Sequence, residues 1–239
     1  MHKLLLVRHG QATIDDGDYD KLSPTGHRQA RLLASYWLDR ELKFERVVSG
    51  PLRRQLETRD AVLEIYRDGG HDGFPMSTLD ALREHQGFIV VSAALAELEN
   101  EDSEDGEKAR RLAAGATPDI PLYFQLYRKI TNRWVAGWTP EAASYAEPWT
   151  AFRQRVESGI DELCRSLDRD GRSIVFTSGG PVAVAVGAAL GLADEVVLKL
   201  SWIVQNASVS EFMVRDGELL LLRFNTVSHL EPHDLVTFV

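Results

Sequence analysis

The chain is 239 residues long, 44% hydrophobic and 26% charged, with a formal net charge of −9. This balance suits one large α/β domain and argues against a nucleic-acid or anionic-membrane partner. No apolar run approaches the roughly 20 residues of a membrane span, and Met1-His2-Lys3 passes into Leu4–Val7 and Arg8-His9 with no room for a signal peptide, so a cytoplasmic location is expected. The single cysteine, Cys164, excludes an internal disulfide and a cysteine-rich metal centre, and reads as packing on the apolar face of a helix.

In chain order, residues 3–7, KLLLV, form a short continuous apolar run that predicts a buried strand. Ala30, Leu33, Ala34 and Trp37 then recur at i, i+3, i+4 and i+7, which predicts a helix with Ser23 or Thr25 as its cap. Residues 46–50, RVVSG, predict a second strand, and Thr58, Ala61, Val62 and Ile65 share one face of the helix after it. Strand, helix, strand, helix in short succession implies right-handed crossovers and a mostly parallel sheet.

Residues 68–146 break this rhythm and are expected to form an inserted lid region within a single domain covering 1–239. The acidic run ELENEDSEDGE, 97–107, predicts a solvated, mobile face. The aromatics that follow it (Tyr123, Phe124, Tyr127, Trp134, Trp138, Tyr145 and Trp149) are expected to be mostly core. Regular structure resumes at 148: Phe152, Val156, Ile160, Leu163 and Leu167 mark a helix, RSIVFTS a third strand, and Pro181 opens another helix. ASVSEFMV and ELLLLRFN flank Arg215-Asp216-Gly217, a hairpin signal. The expected fold is a three-layer α/β/α sandwich with a mostly parallel central sheet and the inserted lid.

The chemistry-bearing residues fall at strand ends, where open α/β sheets bind their ligands. Arg8-His9-Gly10 follows the first strand, Arg53-Arg54 the second, and Ser178-Gly179-Gly180 the third. Arginine forks match phosphate oxygens, and a glycine-rich helix start adds N–H donors. A neutral imidazole between two guanidiniums is a competent nucleophile toward phosphorus. Such a set suits phosphoryl transfer with no cofactor or metal, since the arginines neutralise the charge and no His/Asp/Glu cluster has metal-ligand spacing. Ser178 as an acyl-transfer nucleophile is poorly supported, because TSGGP lacks the G-x-S-x-G elbow.

LLLVRHGQA followed by YDKLSPTGHRQA resembles the histidine phosphatase superfamily, the phosphoglycerate-mutase-like proteins. VVSGPLRRQLETRDAV, LREHQG, EPWTAFRQRV and NTVSHL are similar to further blocks of that family, in its order along nearly the whole chain. The resemblance implies that His9 becomes phosphorylated while Arg8 and Arg54 hold the phosphoryl oxygens, with Glu84 as the proton donor to the leaving oxygen. Glu97, or less favourably Glu99, is the rival acid. Gly10, Gln11, Gly179 and Gly180 are expected to line the substrate, and His85 is a candidate near the pocket. His229 lies in a family-like block and is expected to play a structural hydrogen-bonding role. His27 is expected to face solvent, with His2, His71 and His233 on the surface.

One departure matters: where the family's strand ends in a second histidine, this chain has Ser178. A serine donates one hydrogen bond and brings no charge. Two classes of function follow, a working phosphomonoesterase with an altered pocket or an impaired homologue that binds phosphorylated ligands. Retention of Arg8, His9, Arg54 and an acid favours the enzyme. The acidic, aromatic insertion favours a phosphatase over a mutase. The expected partner is a small phosphorylated substrate or inorganic phosphate, with no nucleic acid and no membrane; a second copy of the chain is a candidate for a homodimer.

Overall fold

A computed structural model of the protein describes residues 1–13, 20–115, 119–167 and 170–238, which divide into two compact units, residues 1–84 with 155–239 and residues 85–154. The first unit holds β1 (His2–Arg8), α1 (Pro24–Leu38), β2 (Arg46–Ser49), α2 (Arg53–Asp68) and β3 (Met76–Thr78), then a 3₁₀ turn over Asp80–Leu82. It resumes within the helix Trp149–Arg165 and continues with β4 (Gly171–Thr177), the helices Gly179–Leu190 and Asp194–Ile203, β5 (Val209–Arg215) and β6 (Glu218–Thr226).

The six strands order as β3-β2-β4-β1-β5-β6. The first four run parallel, and β5 and β6 are antiparallel to their neighbours, giving the mostly parallel α/β sheet expected. β1 is flanked on both sides, so its alternate side chains are buried on both faces. Leu5 and Val7 join the core formed with Ala30, Leu33 and Trp37 of α1 and Val62 and Tyr66 of α2. Leu4 and Leu6, pointing the other way, are fully buried on the opposite face, where the helix Gly179–Leu190 lies against β1 and β6. Asp216 and Gly217 take positive φ (53° and 86°), as the tight turn of the predicted β5–β6 hairpin requires.

Several expectations are corrected here. Residues 68–84 group with the first unit, and Met76–Thr78 adds an edge strand through pairing with β2 alone. His2 is buried, not on the surface, because both neighbours of β1 enclose it and its Nε2 meets Ser173 Oγ at 2.9 Å. His27 is half-buried, in the wall of an open hollow shared with Lys21, Arg31, Arg53 and Glu57. His71 is exposed, and the side chain of His233 lies outside the described residues. Cys164 is buried, as expected, which pushes its thiol up to about 11.

The second unit holds the helices Gly87–Leu98, Glu104–Ala114 and Ile120–Val135, which we number α3, α4 and α5, with residues 149–154 of α6 (Trp149–Arg165). The acidic run is largely solvent-exposed, as expected, and part of it is helical: Ser103 caps α4 by accepting from Gly106 N at 3.0 Å, and Glu104, Asp105 and Glu107 fill its first turn, where the helix dipole favours them. Of the seven aromatics, only Trp134 and Trp149 are fully buried, packed edge to face at 5.4 Å. Phe124 and Tyr145 are exposed, and Tyr123, Phe124 and Tyr127 stack on one another along α5. No helix among the described residues is long and apolar enough to cross a membrane.

Candidate active site

The site is assembled by three adjacent parallel strands. β1 and β4 pair with Arg8 opposite Thr177, and His9 N donates to Thr177 O at 2.8 Å, so His9 and Ser178 leave neighbouring strand ends side by side. On the other side of β4, Gly50 N donates to Phe176 O at 2.9 Å, and the Pro51-Leu52 turn delivers Arg54 on the first turn of α2. The helix after β4, now α7 (Gly179–Leu190), starts with Gly179 and Gly180, both buried.

His9 is 2% exposed. Its Nδ1 lies 2.7 Å from Gly10 O, and a carbonyl only accepts, so Nδ1 carries the proton and Nε2 keeps its lone pair. Arg54 Nε donates to that Nε2 at 3.1 Å. Burial holds His9 well below the ordinary imidazole range, and the guanidiniums of Arg54 and then Arg8 push the same way against the Gly10 hydrogen bond. The ring is therefore neutral, as a nucleophile must be.

The backbone beside it is crowded. A Cβ on Gly10 would lie 2.5 Å from Gly26 O, so only glycine lets the start of α1 seat against this turn. Gly10 N donates to Thr58 Oγ1 at 3.0 Å, which itself donates to Arg54 O at 2.7 Å, tying the turn to α2. Gln11, expected to line the substrate, accepts from Ser23 Oγ at 2.9 Å through its side-chain oxygen and donates to Gln29 Oε1 at 2.8 Å through its backbone N.

Arg8 and Arg54 are both nearly buried. Arg8 Nη1 donates to Val204 O, and to Phe238 O at 2.6 Å. A Cβ built on Gly179 would lie 3.8 Å from Arg8 Nε, which places that guanidinium over the start of α7. Arg54 Nη1 pairs with Asp20 Oδ1 at 2.7 Å, while Asp20 Oδ2 accepts from Arg53 N at 3.0 Å.

Ser178 is fully buried and extended (φ −119°, ψ 175°) at the N-cap of α7, yet its side chain does not cap the helix. Gln55 Nε2 donates to Ser178 Oγ at 2.8 Å. Gly180 N donates to Glu84 Oε2 at 3.1 Å, bringing the predicted acid to the same helix start. The turn before Glu84 is held from two sides. Thr177 Oγ1 and Gln55 Nε2 donate to Leu82 O at 2.9 and 3.1 Å, and Arg155 Nη1 donates to Ala81 O at 2.7 Å.

The structure thus brings together His9, Arg8, Arg54, Glu84, Ser178, Gly10, Gly179 and Gly180. The other candidates have different partners. Glu97 Oε1 accepts from Ala142 N at 2.9 Å within the second unit. His85 also belongs to that unit, edge-on to Trp134 and Phe152 at 5.5 and 5.4 Å, with Nδ1 accepting from Gly87 N at 3.1 Å. His229 is buried in the first unit, 6.1 Å from the Tyr36 ring, and hydrogen-bonds Ala207, whose own N donates to His9 O at 3.1 Å. Burial pushes His229 down to about 4. Gln55, Asp20, Thr58 and Asn206 (Nδ2 3.4 Å from His9 O) were missed by sequence reasoning. Asp20, Gln55 and Thr58 lay in motif-like stretches that could have drawn attention to them; Asn206 did not. Among the described residues no group of three or more His, Cys, Asp or Glu could hold a metal.

Residues 4–119 and 123–227 match the profile of the histidine phosphatase superfamily (branch 1). A broad-specificity phosphatase of Saccharomyces cerevisiae is 30% identical over 115 residues, 46% of this chain and 49% of the yeast protein, so the match spans about half the length of that relative. A phosphoglycerate mutase from Bacillus anthracis superposes with a TM-score of 0.65 at 19% identity, covering 95% of this chain and 94% of the other. A phosphoserine phosphatase from Entamoeba histolytica, solved with phosphoserine, gives 0.61 at 18% identity, covering 96% and 100%. At these identities the two structures establish a shared fold.

Proposed function

The chain belongs to the histidine phosphatase superfamily, and from that membership we propose that it hydrolyses a small phosphomonoester through a phosphohistidine at His9. The observation that carries this reading is the His9 tautomer: the proton sits on Nδ1 against Gly10 O, and the Nε2 lone pair rests beside Arg54.

In the first step Nε2 attacks phosphorus, the N–P bond forms and the ester P–O bond breaks, and Glu84 gives its carboxyl proton to the departing oxygen. The imidazolium that results keeps its Nδ1 proton on Gly10 O. Arg54 and Arg8 hold the equatorial oxygens, for which Arg54 must shift its Nε bond from His9 to the anion. In the second step the Glu84 carboxylate takes a proton from water, the water oxygen bonds to phosphorus, and the N–P bond breaks to restore neutral His9 and release phosphate. The amides at the start of α7 and the Ser178 hydroxyl add uncharged donors.

The unit 85–154 interrupts the site-bearing unit directly after Glu84. The family fold also carries a phosphoglycerate mutase, so the test must separate hydrolysis from transfer. We would assay the protein and His9→Ala against phosphoserine, 3-phosphoglycerate, alkyl phosphates and p-nitrophenyl phosphate, following inorganic phosphate and acid-labile protein phosphorylation. Hydrolysis predicts phosphate release and labelling that both require His9. An isomerised phosphoester without phosphate release would turn the reading to a mutase, and wild type no faster than His9→Ala on every substrate would sink the enzyme.

A further inference from the structure

We propose that Gln55 is a positioning residue that commits the Ser178 hydroxyl to donating its hydrogen bond to the transferred phosphoryl group. The proposal rests on the reading of His9 as the phosphoryl acceptor.

Gln55 is fully buried on the first turn of α2, next in sequence to Arg54. Three contacts fix its amide. Oε1 accepts from Leu52 N at 3.1 Å, and Nε2 donates to Leu82 O at 3.1 Å and to Ser178 Oγ at 2.8 Å. A backbone N–H only donates and a carbonyl only accepts, so the amide cannot be the other way round, and both Nε2 hydrogens are in use. Toward Ser178, Gln55 is a donor and nothing else.

A serine hydroxyl carries one hydrogen and can turn it in several directions. Here the oxygen is already receiving a bond, and no acceptor among the described residues takes its hydrogen, although the side chain is fully buried. The N-cap position gives the hydroxyl no role in capping α7. A buried donor left unspent is costly unless a ligand uses it. Ser178 stands beside His9 at neighbouring strand ends, so the ligand that approaches His9 Nε2 is the one within its reach. An anion needs a donor at this place, and a serine free to rotate would present its lone pairs part of the time.

Space has been cleared for the glutamine. A Cβ on Gly50 would run into Gln55 Oε1, and would lie 2.9 Å from Leu82 O. Through Leu82 the same amide also steadies the turn that leads to Glu84. Gln55 thereby links the start of α2, the acid-bearing loop and the start of α7 around one hydroxyl.

The test compares Gln55→Met, which keeps the length without the amide, and Gln55→Glu, which accepts when ionised, with Ser178→Ala and the Gln55→Met/Ser178→Ala double variant. For each we would measure kcat and KM on p-nitrophenyl phosphate, orthovanadate affinity by calorimetry, and the urea midpoint. Each single variant is expected to lose about 10- to 100-fold in kcat and a similar factor in vanadate affinity, with KM little changed, as for a donor used mainly in the transition state. The double variant is expected to be no worse than Ser178→Ala. Additive losses in the double variant, or both Gln55 variants within twofold of wild type, would overturn the proposal. So would losses that follow the urea midpoint across the set. Should Gln55→Met fail to fold, Gln55→Glu decides. If wild type is no faster than His9→Ala, the hydrolase reading falls, while equal and non-additive losses of vanadate affinity would still uphold the role of Gln55.

Discussion

Arg54 Nε donates to His9 Nε2 across 3.1 Å, so the lone pair proposed as the nucleophile rests on a fixed cation. After burial, this cation is the next largest cause of the lowered His9 pKa, and Asp20 on Nη1 holds the guanidinium in place. Replacing Arg54 by Gln removes a cation from a neutral ring. The His9 pKa is then expected to rise toward the ordinary histidine value, and kcat/KM to fall by about 10³-fold. Imidazole NMR through a pH series and steady-state kinetics on one phosphoester measure the two effects. An unchanged His9 titration would show that Arg54 does not act on the ring.

Glu84 and Glu97 are separated by their partners. Glu84 meets the amide of Gly180 at the start of α7, whereas Glu97 supports Ala142 in the second unit. Glu84→Gln is expected to slow hydrolysis of an alkyl phosphate by about 10²- to 10⁴-fold and that of p-nitrophenyl phosphate far less, because nitrophenolate leaves without a proton. Glu97→Gln should stay within about twofold on both. Equal losses on the two substrates from Glu84→Gln would remove it from the acid's role.

His229 links the core to pH. Its ring titrates near 6.5 in the unfolded chain and about 4 in the fold, so between those values the unfolded chain binds the proton first. The stability drawn from the neutral ring is complete above pH 6.5 and is lost as pH falls through about 4, a swing of about 3 kcal/mol. His229→Asn is expected to be less stable at pH 7 by about 1 kcal/mol, from the altered hydrogen bond to Ala207, and to lose less than wild type on acidification. Urea midpoints at pH 7 and pH 4.5 compare the slopes, and parallel slopes would discount His229.

Placing a histidine at position 178 is not a one-residue change. Gln55 Nε2 already stands 2.8 Å from Ser178 Oγ, so an imidazole at position 178 must displace the Gln55 side chain. Ser178→His alone is expected to lower the thermal midpoint and to give no gain in turnover. Ser178→His with Gln55→Ala should recover folding and exceed Ser178→Ala in kcat. Thermal melts and initial rates on the three variants decide the matter; a rate gain from Ser178→His alone would mean the space is not shared.

Much of this was readable in advance where the signals were local. The β5–β6 hairpin follows from Asp216-Gly217 between two apolar runs, because a turn of that type needs positive φ at two successive residues. The convergence of Arg8, His9, Arg54 and Ser178 follows from strand ends in a parallel sheet. Other features depend on what lies across the sheet. Met76–Thr78 is short, exposed and without an apolar pattern, and becomes a strand only beside β2. A lone His2 at the head of a strand looks like surface until β4 and β5 close around it. Gln55 reads as one more polar residue on a charged helix, since its partner Ser178 is 123 positions away.

The strand that leads to His9 finds its neighbours late in the chain, at Gly171–Thr177 and Val209–Val214, whereas residues 85–154 are contiguous and close upon themselves. During synthesis β1, apolar over Leu4–Val7, must wait unpaired until residues 171–214 have left the ribosome. Helical segments of the intervening unit can meanwhile form from short-range contacts. The proposed anion site therefore has no partial version: it forms with the longest-range step of folding, and regain of phosphate binding on refolding is expected to report the completion of the central sheet.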